Sequence, residues 1–329
     1  MAILEQDPST VPGALAEYKT RELDDGALIE FELAPYGWLT SSGEPRRKDH
    51  RAYFFTPATF DCEACEGSGR VPGKRDGTTK QCQACKATGE GARRVRLPSV
   101  TTLLDAICPK PGIPPWSEAR GIEGAIEAVH RGLIDPYDPA SAAMAVDVVR
   151  ANRLGADRAR DEAASRGLNV HACLEQYALT GDPPNPADHP VEHWGYLQAL
   201  SRWLLHADPE PVAIEQLVAH PELGYAGRLD LRARIGGLLT TVDLKTQENA
   251  GLYSTAHLQV GLYELAAQRC GDEPASLLTC VVVAANGEFR EMAANHDPSV
   301  LAAALDYYAA IKPIDSMCAA ANRVEREAR

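Results

Sequence analysis

No stretch of the 329-residue chain approaches the roughly 18 uninterrupted apolar residues of a membrane-spanning helix, so no membrane partner is expected. The first residues, MAILEQDPST, lack a basic segment followed by an apolar one, and without a secretory signal the chain is expected to be cytoplasmic. No G-x-x-x-x-G-K-S/T loop occurs, so any ATP-driven unwinding must come from a partner. No internal repeat is visible. Positive charge is also in deficit: 33 Lys and Arg stand against 46 Asp and Glu, and a uniformly charged molecule at −13 would repel nucleic acid. The composition, 45% hydrophobic and 24% charged, is that of a globular protein, and the length allows about two domains.

The charge is not uniform. Residues 44–96 hold 12 basic and 7 acidic side chains, a local +5 that leaves −18 for the remainder. Any nucleic-acid contact should begin in this stretch. It also contains four of the nine cysteines, as the pairs Cys62-x-x-Cys65 and Cys82-x-x-Cys85. In a reducing compartment such pairs favour metal over disulfide.

Residues 1–60 read as a small β-rich lead-in, with apolar and acidic residues alternating over 27–33 and an aromatic strand at 53–55. Residues 61–92 are rich in Gly, Lys and Gln and poor in large apolar side chains, so they cannot build a core unaided. Strand-like alternation returns at 93–97, and Pro98-Ser99 opens a helix through Ile107, which marks the cysteine segment as an insertion between two strands. The region 93–210 is otherwise helical, with one helix over 161–179 and another ending at Leu205. From 211 to 312 the period changes: strands at 211–220, 226–235 and 238–246, a helix at 254–269, a hairpin across Asn286-Gly287, and a helix at 298–311. Residues 313–329 read as a charged, fraying tail.

The stretch GYAGRLDLRARIGGLLTTVDLKT can be registered by hand. If Gly236-Gly237 is a two-residue turn, Ile235 faces Leu238 and, four pairs on, Leu231 faces Val242, so Asp230 should face Asp243. Opposed side chains in an antiparallel pair have Cβ atoms about 4.5–5.5 Å apart, and two carboxylates there destabilise the sheet. Leu229, Leu231, Ala233 and Ile235 take the core face and Asp230 the other, with Lys245 on the face of Asp243. Two carboxylates and an ammonium suit a divalent cation such as Mg²⁺. They are equally readable as solvated strand residues joined by a salt bridge.

Four motifs stand in order around this hairpin. They are R-G-x-x-x-H-x-x-x-E (Arg166, Gly167, His171, Glu175), G-R-x-D (Gly227 to Asp230), V-D-x-K-T (Val242 to Thr246) and Q-x-x-x-Y (Gln259, Tyr263). Together with PSVTTLLDAI and Trp116 they resemble the PD-(D/E)XK nuclease superfamily in its RecB-like branch, which includes many phage exonucleases. The resemblance spans about residues 97–292. It implies an α/β fold with a mixed central sheet flanked by helices, and hydrolysis of phosphodiester bonds with Mg²⁺ or Mn²⁺.

By that resemblance Asp230 and Asp243 bind the metal, His171 adds a ligand from its helix, and Lys245 orients the attacking water or offsets developing negative charge. Gln259 and Tyr263, four apart and so on one helical face, brace Lys245 or touch the DNA backbone. Asp243 stands where many relatives carry Glu, and Leu229 where they carry Pro. Other readings stay open: His171 as a hydrogen-bonded core histidine, Gln259 and Tyr263 as helix packing. Glu215 is either a further metal or water ligand or an exposed strand-end charge. Glu175, one turn after His171, either orients its imidazole or faces solvent.

The cysteine arms C-E-A-C-E-G-S-G and C-Q-A-C-K-A-T-G are similar to the zinc-binding knuckles of DnaJ-type chaperones, with Ala87 in place of a glycine. Sixteen residues separate the pairs, close to the spacing of a four-cysteine zinc ribbon, so Cys62, Cys65, Cys82 and Cys85 are expected to hold one structural Zn²⁺. No H-P-D tripeptide occurs, which argues against a co-chaperone. An iron–sulfur cluster is disfavoured because Cys318 stands alone near the C-terminus. Cys108, Cys173, Cys270 and Cys280 read as small buried hydrophobes. Lys74, Arg75, Lys80, Arg93 and Arg94 would give a basic lobe able to meet phosphates, or a solvated loop.

The reading that results is a DNA exonuclease of phage or mobile-element DNA processing, working with a helicase or recombination partner, in the host cytoplasm if phage-encoded. Two alternatives from other classes are a nucleic-acid-binding module without turnover and a zinc-ribbon factor that binds other proteins.

Overall fold

A computed structural model of the chain describes residues 18–34, 50–57, 64–66, 68–73, 78–83, 95–108, 110, 112–249, 251, 253–294 and 297–327. The protein is mixed α/β, and it divides into two compact units that are each discontinuous in sequence: 1–103 with 216–229 and 262–274, and 104–215 with 230–261 and 275–329. The linear segments read from the sequence therefore differ from the units that pack together.

In the first unit, β1 (Tyr18–Glu22), β2 (Leu28–Ala34) and β3 (His50–Thr56) form an antiparallel sheet. The short β4 (Arg70–Pro72) and β5 (Thr79–Gln81) pair with each other, and β6 (Val95–Leu97) completes the first sheet in the order β1-β2-β3-β6. Ala27, Ile29 and Phe31 are buried, as is Glu30 between the last two, and the Phe31 and Tyr53 rings lie 5.1 Å apart. Because β3 pairs directly with β6, through Tyr53 to Leu97 and Phe55 to Val95, the cysteine segment leaves and re-enters one sheet as an insertion. The later segments of this unit are tied in by charge. Arg21 donates to the Leu217 carbonyl at 2.9 Å and pairs with Asp272 at 2.8 Å. Ser99 caps α1 (Val100–Ile107) by accepting the Thr102 amide at 3.0 Å, as the Pro98-Ser99 signal predicts.

The second unit opens with helices α2 (Ile113–His130), α3 (Pro139–Ala143), α4 (Ala145–Ala151), α5 (Ala156–Thr180) and α6 (Trp194–Ala207). After them in the chain follow β7 (Glu210–His220), β8 (Tyr225–Ile235), β9 (Leu238–Gln247), α7 (Ser254–Arg269), β10 (Leu277–Ala284), β11 (Phe289–Ala293) and α8 (Pro298–Glu327), of which residues 216–229 and 262–274 belong to the first unit. The strands order as β11-β10-β9-β8-β7. β9 and β10 are parallel with α7 as their crossover, while β10–β11 and β8–β9 are antiparallel, so the sheet is mixed.

Alternation along the strands decides the layers. Leu231, Ala233, Val242, Leu244, Val281 and Val283 pack with Val170, Leu174 and Tyr177 of α5 and with Leu197, Leu200, Trp203 and Leu204 of α6. On the opposite face of β10, Leu278 and Cys280 pack with Ala256 and Val260 of α7. Strands covered on both faces become apolar runs, which is why VVVA ends β10. Gly195 lets the start of α6 lie against the turn after β10, for a Cβ there would fall 1.7 Å from the Ala285 carbonyl oxygen.

Two boundaries differ from the sequence reading. α5 begins at Ala156, five residues earlier than expected, where Arg158 pairs with Glu162 one turn on and with Glu127 of α2. α8 continues through Pro313 to Glu327 instead of ending in a fraying tail. Among the described residues, no helix is long and apolar enough to cross a membrane.

Candidate metal centre

The hairpin of β8 and β9 turns on Gly236 (φ +57°) and Gly237 (φ +83°), both in the left-handed region that a tight two-residue turn demands. The register is the one worked out by hand, from Ile235 opposite Leu238 to Leu231 opposite Val242. There the ladder ends. Asp230 does not continue it as a backbone pair with Asp243; its Oδ2 accepts the Leu244 amide at 2.8 Å, so a carboxylate replaces a strand carbonyl. β9 carries on alongside β10, with Asp243 opposite Cys280 and Lys245 opposite Val282.

Asp230 is joined by two residues from other elements. His171, on α5, places Nδ1 3.2 Å from Glu215 Oε1 of β7 and 3.6 Å from Asp230 Oδ1. One donor atom from each of the three lies within 4.8 Å of the others, and no other such group occurs among the described residues. Glu215 is the member for which the sequence left two readings open. It sits inside β7 instead of at an exposed strand end, its side chain is 6% exposed, and its φ is +48°. A non-glycine residue in that region costs about 1–2 kcal/mol, and it occurs at the residue whose carboxylate meets His171. Nothing in the local sequence marks a glutamate for left-handed backbone.

Asp243 and Lys245 form a second arrangement beside the first. Lys245 Nζ lies 2.8 Å from both Asp243 carboxylate oxygens, and Asp243 is fully buried. The expected solvent face of the hairpin is thus covered, Arg232 and Asp230 being buried as well. Burial pushes the Asp243 carboxyl up to about 6, against the pull of Lys245 and with the help of Asp230. For Lys245, burial opposes the charge but Asp243 and Asp230 outweigh it, and its pKa is raised. His171 behaves alike: burial disfavours the imidazolium, and Asp230 with Glu215 more than restores it. The site is a concentrated negative field that draws positive charge.

The remaining motif residues have structural places. Arg166 stacks over the Tyr196 ring at 5.2 Å. Gln259 and Tyr263 are buried on α7, and the Tyr263 ring fills the space beside Gly227, where a Cβ would come within 2.4 Å of it. Glu175, on α5, is partly buried and is not one of the three clustered donors. Cys173, Cys270 and Cys280 are buried as expected, while Cys108 is only partly so. Burial lifts the Cys173 thiol to about 11 and that of Cys280 to about 12, which keeps both protonated. Cys65 and Cys82 are buried together, whereas Cys62 and Cys85 lie outside the described residues. Of the basic residues, Lys80 is exposed on β5, and Lys74, Arg75, Arg93 and Arg94 lie outside the described residues.

No family model matches the chain. No curated protein matches it either. Among solved structures, a chain described as "Crystal structure of SSO0001" is similar over 44% of this chain and 74% of its own length, with 16% sequence identity and a TM-score of 0.25.

Proposed function

We propose that the chain is a metal-dependent nuclease of the PD-(D/E)XK kind, an exonuclease acting on DNA ends. The observation that carries this reading is the convergence of His171, Glu215 and Asp230 beside the Asp243–Lys245 pair. Four motifs in the same order support it from the sequence.

The donor set fits a hard divalent cation. One imidazole and two carboxylates suit Mg²⁺ or Mn²⁺, and neighbouring ligands of an octahedral ion with bonds of about 2.1 Å lie about 3 Å apart. The 3.2 Å between His171 Nδ1 and Glu215 Oε1 meets that requirement. With Lys245 neutralising Asp243, the two carboxylates Glu215 and Asp230 leave about two negative charges for the cation to offset. Held there, it would polarise a phosphodiester and make a nearby water more acidic.

The chain's own side chains supply the rest. Asp243 fixes the Lys245 ammonium, whose remaining hydrogens are directed to the attacking water or to a phosphate oxygen gaining charge. Asp230 is held by the Leu244 amide, which keeps one oxygen engaged and leaves the other toward His171. These residues are preorganised by sheet and helix, so little reorganisation accompanies reaction.

End-labelled linear, circular and single-stranded DNA, each with and without Mg²⁺ or Mn²⁺, test the reading. Linear DNA should be degraded only with metal, and circular DNA should stay intact. Binding without cleavage under every metal condition would instead favour a module without turnover.

A further inference from the structure

The turn between β10 and β11 gathers positive charge in a part of the chain that is otherwise acidic. Asn286-Gly287 closes it: the Gly287 amide returns to the Ala284 carbonyl at 3.1 Å, and the Ala284 amide to the Glu288 carbonyl at 2.9 Å. Arg202, on α6, donates through Nη1 to the Gly287 carbonyl at 2.9 Å. One hydrogen bond anchors this guanidinium at the turn and leaves it further N–H groups to offer. With Glu288, Phe289 and Arg290 it lines a cavity of about 290 Å³ at the β11 edge of the sheet. Phe289 is seated against the core beneath, its ring 5.7 Å from that of His206.

The carboxylates nearby are engaged elsewhere. Glu288 accepts from the Asn286 side-chain amide at 2.9 Å, and Glu291 from the Trp203 indole. Neither Arg202 nor Arg290 has an ion-pair partner among the described residues. The cavity wall therefore holds two guanidiniums against one carboxylate, although the chain outside residues 44–96 totals −18. An excess of that sign, set in a concave site with an apolar wall, calls for an anionic ligand.

We propose that this cavity is a subsite for the DNA strand running to the metal centre, with Arg202 and Arg290 holding a backbone phosphate and Phe289 lying against its sugar or base. The identity of the ligand rests on the nuclease reading, but none of the residues of that centre is used. Register connects the two places. Val282 of β10 pairs with Arg290 on one side and with Lys245 of β9 on the other, so the cavity stands level with Lys245. Two strand spacings, about 10 Å, separate them, a distance that a strand rising 3.4 Å or more per nucleotide covers in about three nucleotides. The guanidinium fork matches two phosphate oxygens at once, and an aromatic wall accepts any base. Arg202 and the turn are brought together by packing across 85 residues of sequence, which is why the basic stretch at 44–96 drew attention first.

The test measures binding apart from cleavage. Anisotropy of a labelled single strand of about 12 nucleotides, with the full chain in EDTA, reports affinity over a range of salt. Arg202→Gln and Arg290→Gln should each weaken binding about fivefold and flatten the dependence of log Kd on log salt by about 0.7. Arg290→Lys should keep the parent's slope, and Arg131→Gln, at an exposed arginine paired with Glu127, should change neither quantity. With Mn²⁺ and saturating DNA both glutamine variants should cleave at the parent's maximal rate, the loss falling on KM. Affinity and slope unchanged in both glutamine variants of a parent that cleaves would overturn the subsite alone. Weakened binding in variants of a parent that never cleaves would uphold the subsite and sink the nuclease reading instead. A parent that binds no DNA, or an acidic peptide that binds as tightly and is lost in the same variants, would overturn the assignment to DNA.

Discussion

Two parts of this chain order their backbone by different means. Where α5 and α6 cover β8–β10, large apolar side chains are wholly buried, Trp203, Leu174, Leu197, Leu200 and Leu244 among them. Each contributes about 1.5–3 kcal/mol. In the cysteine insertion the whole described core is Cys65, Cys82 and Val71. Fixing backbone costs roughly 1–2 kcal/mol per residue, which three small side chains do not offset. The difference teaches where chemistry can reside. The well-packed region tolerates a left-handed Glu215, buried Asp230 and Asp243, and a cluster of like charges. The insertion has no such reserve.

The largest expected effect tests whether catalysis belongs to the packed region alone. Lys245→Ala should lower the cleavage rate by at least about 10²-fold while DNA affinity stays within a few-fold of the parent. Cys82→Ser, by contrast, should retain metal-dependent cleavage of short substrates. A cleavage rate undiminished in Lys245→Ala would sink the assignment.

Next in size is the packing itself. Trp203→Ala removes a fully buried indole whose Nε1 donates to the Glu291 carboxylate, and should cost about 3–5 kcal/mol in urea unfolding. Val71→Ala, at the partly buried residue packed against Cys65 and Cys82, should cost about 1 kcal/mol or less. Equal losses would erase the contrast between the two regions.

Glycines sharpen it further. Gly195→Ala drives a methyl into the Ala285 carbonyl and should destabilise by about 1–3 kcal/mol. Gly121→Ala, in α2 with nothing within 4 Å of the new Cβ, should stabilise by about 0.5–1 kcal/mol. Thermal melts of the two variants should therefore move in opposite directions.

The smallest effect is a pH dependence at His193, whose Nδ1 accepts from the Asn169 side-chain amide at 3.0 Å. Burial lowers its pKa, and Arg166 and His189 add to this against Glu192. A histidine depressed in the fold contributes stability that is complete above its unfolded pKa and is lost as pH falls through the folded one. The urea midpoint of the parent relative to that of His193→Gln should thus fall from roughly pH 7 to pH 5, the raised Asp243 and His171 acting alike in both chains. A parent-minus-variant difference that grows on acidification would contradict the sign.

Much of the scaffold was legible because it is set by neighbours in the chain. Gly236-Gly237 forces its turn, and the turn carries the register to Leu231 and Val242 without reference to anything distant. α7 spans Ser254–Arg269, the bounds its apolar spacing predicts, and the cysteine segment is bracketed by two strands that pair, as its composition requires. The four motifs directed attention to His171, Asp230, Asp243 and Lys245 in the same way, through fixed spacing. The start of α5 was not legible, because Arg158 there pairs with Glu127, 31 residues away in sequence.

Only the tertiary structure could decide which carboxylates meet. His171 and Glu215 are 44 residues apart, and Glu215 reaches the imidazole through a left-handed backbone that no local preference for glutamate encodes. Asp230 leaves the ladder to accept the Leu244 amide, a choice available only once β9 has turned to pair with β10. Burial of Asp243 and Arg232 likewise depends on how the sheet is covered, since alternation alone had left their face to solvent. Periodicity and turn chemistry act over a few residues and are written in order along the chain. Charge, strain and burial at the site are sums over elements brought together by packing, and no window of sequence contains them.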